Sequence, residues 1–457
     1  MVNRANTTMK NVAQLASVAP SSVSRFLSGR MGTLRLSKVA KNRIEDAVET
    51  NADRRGRVMM WQSYMVLVVT VFAVGLFSMP ASGGEYRVVT AVKVAEEVAC
   101  MPSAIKAPNG DLLVAFSMQW EGFPWGDLLK LVVSKDNGAT WSKPRVIWRD
   151  EDLRATFQVG NSMQTLSNGD IILIVKRWVI PKRKGVSPDE KRPARIYDTS
   201  KLQVNFQHPN TPFGLKESQF RPTLWLLRSR DNGETWAKED MGLTHSRFGR
   251  PIETRDGRLI MPMFGWYLES RDFGKTWGRP KWFGTPFDKE INLVEAADGT
   301  LFTIMRQNGE LGSRRIFGTT FSRDAGKTWS KWRLTTVRGK MPDLRVLPSG
   351  RILMAVGFEG VSDGSDLYRK KDRPSFVTLF YSDDHGQTWE KDIAFVQAEL
   401  GSSVVPTDSP CLVPLDSGKI FVVIQAADRS KRGTLAGYSE GQSLIGNVIE
   451  PVNTNSQ

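Results

Sequence analysis

Five residues in the second half of this chain set carboxylates beside guanidinium groups at positions that a repeating pattern lines up. They are Arg250, Glu290, Asp343 and Asp408, with Arg306 sixteen positions after Glu290. Each of the first four stands a few residues before a glycine, at the expected start of a strand. Arg306 stands at the expected end of the strand that follows Gly299. Carboxylates near arginines can bind an anionic ligand and shuttle a proton. The set does this only if the fold brings its strand ends to one place. No metal or cofactor is expected, because His208, His245 and His385 are the only histidines and form no ligand spacing with the two cysteines.

The elements that must position these residues are legible as two interleaved repeats. The pattern x-Gly-x-(Leu/Ile)-(Leu/Ile/Phe) occurs six times, at Gly110, Gly169, Gly257, Gly299, Gly350 and Gly418. Asn-Gly, Asp-Gly and Ser-Gly pairs are tight-turn chemistry between two short strands. The octapeptide Ser-x-Asp-x-Gly-x-Thr-Trp occurs five times, starting at Ser134, Ser229, Ser270, Ser322 and Ser382. Its Ser and Asp close a turn on backbone N–H groups, its Gly takes φ > 0, and its Trp anchors the return strand. Repeats of this length predict an array of one supersecondary unit. Six units predict an all-β, six-bladed β-propeller with four strands per blade. The strand from Arg87 to Val94 is expected to complete the last blade and close the ring. The interval between Gly169 and Gly257 carries an insertion, roughly 177–221, rich in Pro, Lys and Arg. It reads either as a substrate-covering loop or as a solvated excursion.

The octapeptide looks like the Asp-box of sialidases and related propellers. The segment from Glu290 through Ile291, Asn292 and Gly299 to Arg306 resembles a sialidase segment running from an acidic residue to an arginine. In that family the glutamate polarises a tyrosine nucleophile and the arginine clamps the substrate carboxylate, and the resemblance implies these roles for Glu290 and Arg306. Arg373 lies near the position of another clamp arginine. The chain departs from the family twice. Cys100-Met101-Pro102 stands where sialidases open their first blade with Arg-Ile-Pro. Thr407-Asp408-Ser409-Pro410 stands where the tyrosine belongs. The family's acid/base aspartate falls between the first strands and the first Asp-box, where Glu121 and Asp127 are the candidates. Trp120 and Trp125, beside them, either stack on a sugar or pack between blades. Glycoside hydrolysis needs two acidic groups, so Glu121 or Asp127 would be the acid and Glu290 or Asp408 its partner. Arg306, Arg373, Arg250, Asp343, Trp120 and Trp125 are the substrate-binding candidates. The expected activity is sialidase-like hydrolysis of an acidic glycan, carrying sialic acid or another anionic sugar. A glycan-binding propeller without turnover is the alternative.

Net charge is +15, and residues outside the first sixty hold +8 of it, which suits an anionic ligand. Residues 58–84 read as a signal peptide or anchor. The apolar core Met65 to Phe77 follows Arg54, Arg55 and Arg57 and precedes Ala81-Ser82-Gly83. This bias sends residues 85–457 out of the cytoplasm, with a membrane contact only through 61–79. Residues 1–57 include a stretch, Met9 to Gly29, that resembles the helix-turn-helix of lactose-repressor-type regulators. The resemblance implies helices near Val12 to Ala16 and Pro20 to Leu27, with Ser21, Ser22 and Arg25 meeting DNA. Either a tethered DNA-binding regulator with a propeller sensor or a start near Met31 or Met59 accounts for it. Cys100 and Cys411 fall on neighbouring inner strands, as a ring-locking disulfide or as two buried thiols.

Overall fold

The computed structural model describes residues 85–96, 98–120, 123–149, 155–179, 222–243, 249–263, 265–285, 289–306, 316–357, 377–395, 404–428 and 442–452. The helix-turn-helix-like and signal-like segments, and most of the 177–221 insertion, lie outside these residues. Among the described residues there are 25 strands, and no helix is long and apolar enough to cross a membrane.

The strands fall into six blades. Strand β1 (Tyr86–Glu96) comes first in sequence but last in the ring. Blade one is β2 (Val98–Lys106), β3 (Leu112–Trp120), β4 (Phe123–Ser134) and β5 (Arg145–Arg149). Blade two has a divided inner strand, β6 (Ala155–Gln158) and β7 (Met163–Thr165), followed by β8 (Ile171–Val179), β9 (Pro222–Ser229) and β10 (Ala237–Leu243). Blade three is β11 (Ile252–Glu253), β12 (Leu259–Pro262), β13 (Trp266–Ser270) and β14 (Lys281–Trp282). Blade four is β15 (Lys289–Glu295), β16 (Leu301–Arg306), β17 (Ile316–Ser322) and β18 (Arg333–Arg338). Blade five is β19 (Lys340–Val346), β20 (Ile352–Gly357), β21 (Val377–Ser382) and β22 (Glu390–Phe395). Blade six is β23 (Val404–Pro414), β24 (Ile420–Asp428) and β25 (Gln442–Pro451), completed by β1. All pairings are antiparallel, and β1 runs against β25 from Tyr86↔Pro451 to Glu96↔Ser443. Blades one and two are also joined, where Gly126 of β4 pairs with Phe157 of β6.

Six apolar clusters fill the six interfaces between neighbouring blades, which closes the count independently of the strands. The Asp-box tryptophans serve five of them. Trp141, Trp236, Trp277, Trp329 and Trp389 each pack on the cluster shared with the preceding blade. Blade six has no Asp-box, and the interface between blades five and six receives Tyr86 from β1 instead. Each box has the bonding its residues predict. In the first, Ser134 Oγ donates to Asp136 at 2.7 Å and accepts from Gly138 N at 2.8 Å. Thr140 donates to the same carboxylate from N at 2.8 Å and from Oγ1 at 2.5 Å. The Thr140 hydroxyl leads the effects that draw the Asp136 carboxyl down to about 2. The boxes join the third and fourth strands. They therefore lie at the same end as the glycine turns, opposite Glu290 and Arg306.

Candidate functional site

The site begins with a defect repeated on the inner strands. Two residues drop out of the ladder between Cys100 and Ser103, Lys289 and Asn292, Lys340 and Asp343, and Asp408 and Cys411. In each gap one residue takes a left-handed conformation: Met101 (φ 26), Glu290 (φ 46), Met341 (φ 48) and Ser409 (φ 53). Gly160 does the same at φ 68 in the divided inner strand of blade two. Positive φ is uncommon outside glycine, and bulges re-aim side chains. Here they turn consecutive residues into two layers around the propeller axis.

The lower layer lies two residues after each bulged position. Its members are Ser103, Ser162, Asn292, Asp343 and Cys411, and Arg250 holds the matching place in blade three. All six are buried. They tie blade to blade. Ser103 Oγ accepts from Ser162 N at 2.9 Å and Met163 N at 2.7 Å. Asn292 donates to the Pro342 carbonyl. Asp343 accepts from Leu412 N at 2.7 Å, and Cys411 donates to the Pro102 carbonyl at 3.2 Å. Arg250 donates to Asn161 and, at 3.3 Å, to the Ala104 carbonyl, and stands 3.7 Å from Asp343. Burial pushes the Asp343 carboxyl up to about 6, against the opposing pull of Arg250. Cys411 is a free thiol, so it is not half of a ring-locking disulfide, and burial raises its pKa.

The upper layer holds the chemistry. Arg306 and Glu290 form a bidentate ion pair, with Nε at 2.6 Å from Oε2 and Nη2 bonded to Oε1. Glu290 Oε2 also accepts Met341 N at 3.0 Å, which links blade four to blade five. The guanidinium side chain keeps 13% of its surface exposed against 5% for the carboxylate, so the arginine is the member that faces outward. Where the second strand is six residues or longer, its sixth residue continues this layer. Besides Arg306 these are Ser117, Lys176, Gly357 and Gln425. Gln425 accepts Met101 N at 3.1 Å and so links blade six to blade one.

The other expected residues separate by position. Asp408 lies on β23 opposite Gln425, one residue before the bulge. Trp120, Trp125 and Asp127 lie on the β3 and β4 extensions, which rise above the upper layer and meet blade two. Arg250 and Asp343 belong to the buried lower layer. Glu121 and Arg373 lie outside the described residues. Sequence reasoning did not pick out Lys176, Gln425 or the bulges. A signal for the bulges was present: a proline stands eight residues before the glycine at Pro102, Pro342 and Pro410. A groove of about 450 Å³ lies elsewhere, between the outer parts of blades two and three, lined by Met241, Leu243, Leu268 and Trp277 among others. None of the candidates lines it.

Residues 380–391 match the BNR/Asp-box repeat. The fold is a sialidase-like propeller. It is similar to a Dyadobacter fermentans protein of unknown function (TM-score 0.53, 17% identity, 80% of this chain and 100% of that one). It is also similar to the Hadza microbial sialidase Hz136 (TM-score 0.52, 18% identity, 78% and 66%). A third likeness is to the intramolecular trans-sialidase of Ruminococcus gnavus (TM-score 0.51, 14% identity, 77% and 94%). At these identities the likeness concerns fold. No curated protein matches the sequence.

Proposed function

We propose that this protein is an exported glycoside hydrolase that acts on an acidic glycan at the open end of the propeller axis. The observation that carries the reading is the Glu290–Arg306 pair, set on a bulged strand at that end with the guanidinium outward. A planar fork of donors suits a carboxylate or sulfate. Likeness of fold to sialidases supports a sugar carrying such a group. In this reading Arg306 anchors the anion, with Arg373 as a further contact, and Glu290 fixes the guanidinium and polarises the reacting group beside it. Asp127 or Glu121 protonates the departing glycosidic oxygen from the blade-one extension, and Trp120 and Trp125 stack on the sugar. Asp408, in the Thr407–Pro410 stretch where the resemblance implies a tyrosine, supplies the second acidic group that hydrolysis needs. Arg250 and Asp343 serve from beneath, holding the blades that carry these groups.

Cys100-Met101-Pro102 and Thr407-Asp408-Ser409-Pro410 stand where the sialidase resemblance implies an arginine and a tyrosine, and they favour one second reading, a propeller that binds the glycan without turnover. Purified protein incubated with sialylated, uronic and sulfated oligosaccharides separates the two. The hydrolase reading expects release of an acidic sugar, with Glu290→Gln and Asp408→Asn each lowering the rate at least tenfold. Binding without release supports the second reading, and neither binding nor release overturns both. Export is part of the proposal. N-terminal sequencing of the secreted protein should find a start between Ala81 and Glu85. Recovery with residues 1–60 attached would instead bring nucleic acid back as a partner.

A further inference from the structure

In the floor beneath the open end of the axis, buried donors outnumber their acceptors. Arg250 Nε, Asn161 Nδ2 and Arg345 Nη2 are buried and have no hydrogen-bond partner. They are three of the seven such side-chain atoms among the described residues, and all three belong to residues gathered around one carboxylate. Arg345 Nη1 donates to Asp343 Oδ1 at 2.6 Å. Arg250 Nη2 stands 3.7 Å from Asp343 Oδ2 and donates to Asn161 Oδ1. The remaining lower-layer side chains, Ser103, Ser162, Asn292 and Cys411, leave no such atom. Asp343 does not serve Arg250 Nε, because its oxygens are taken by Arg345 and by Leu412 N.

Charge points the same way as hydrogen bonding. Two guanidiniums share the single carboxylate of Asp343. The Cys411 thiol does not offset the excess, because burial holds it protonated. Arg250 is 5% exposed and Asp343 0%, so water screens this excess poorly. A buried cation is costly unless it is paired, and a buried donor is costly unless it is bonded. Water would fill the hydrogen bonds and leave the charge; an anion answers both. The neighbours are buried side chains of the inner strands, which suits a single ion rather than a sugar.

We propose that the floor holds one monatomic anion of the chloride class against Arg250 Nε and Asn161 Nδ2. The ion fastens blade two to blade three, as Asn292, Asp343, Cys411 and Ser103 fasten other neighbouring blades. Its presence does not depend on what the open end of the axis binds, so either can fail without the other.

The test is thermal unfolding of the full-length protein at constant ionic strength, with gluconate replaced stepwise by chloride. The wild type should gain about 2 °C or more in Tm as chloride rises to about 150 mM, and the gain should saturate as binding to one site does. Arg250→Met should abolish the gain. Asn161→Asp supplies a fixed negative charge beside the same guanidinium, and should also abolish it while holding Tm, without chloride, near that of the chloride-saturated wild type. A merely structural asparagine would instead lose stability and keep the chloride response. Should Arg250→Met not fold, Asn161→Asp and Asn161→Leu carry the test, the second lowering the response without raising Tm. A crystal soaked in bromide should show an anomalous peak in contact with Arg250 Nε. A wild-type Tm indifferent to chloride, or a water at that place with no bromide peak, overturns the proposal.

Discussion

At the residue scale, two charged pairs near the axis have different work. Arg306 is paired yet outward, and its fork geometry is what a lysine cannot reproduce. Arg306→Lys is therefore expected to weaken binding of an acidic glycan by about 1.5–3 kcal/mol, the range for hydrogen bonds to charged groups. Calorimetric titration checks it, and unchanged affinity would remove Arg306 from the site. Asp343 is held in the floor, where burial lifts its carboxyl from 3.8 to about 6. Between those values the native state binds more protons than the unfolded chain. The contribution of Asp343 to stability thus grows as pH falls from about 6 to about 4, and is smallest above 6. Urea unfolding of wild type and Asp343→Asn across this window should show the wild type gaining relative to the variant on acidification. A constant difference would contradict the buried placement. Before the structure, Arg250 and Asp343 look like site residues because they begin strands near the axis. Their burial depends on bulges that put residues two apart into different layers, and side-chain type alone does not reveal that.

At the scale of elements, the turns were the most legible feature, because their chemistry is local. Ser, Asp, Gly and Thr of each box bond one another within eight residues, so the motif appears in sequence as it appears in space. The same locality gives a graded prediction. Gly386 has φ +84, and an added Cβ would stand 2.6 Å from Phe302 Cε2; Gly110 has φ +92 with nothing within 4 Å. Gly110→Ala should cost about 1–2 kcal/mol for the left-handed backbone alone. Gly386→Ala should cost about 1–3 kcal/mol more for overpacking. Equal shifts in Tm would mean that the boxes do not pack on the neighbouring blade as described. The bulges were the least legible elements. They place Met101, Glu290, Met341 and Ser409 in conformations these residue types do not announce, and such strain gathers at functional sites.

Across the whole molecule, the blades stand because the ring closes. Strand β1 supplies the fourth strand of blade six, and Tyr86 fills the interface that lacks an Asp-box tryptophan. Arg351 secures this closure. It forks onto Asp383 at 2.7 Å for both bonds, pairs with Glu85 and stacks 4.3 Å over Tyr381. Tyr86→Ala should therefore destabilise the protein by about 3 kcal/mol, as loss of a buried aromatic does. It should also expose the β25 edge and promote aggregation on heating. A Tm within one degree of wild type would show that closure does not rest on this strand. The blade count and closing strand were readable because they follow from repeated turns. The ligand was not, because it depends on which side chains a few bulges aim at the axis. The most direct measurement is the structure of the protein bound to an acidic oligosaccharide that it retains. The anionic group should lie within hydrogen-bond distance of the Arg306 guanidinium, at the end of the axis opposite the Asp-boxes. A ligand seated in the groove between the outer parts of blades two and three, or on the Asp-box face, would contradict the account.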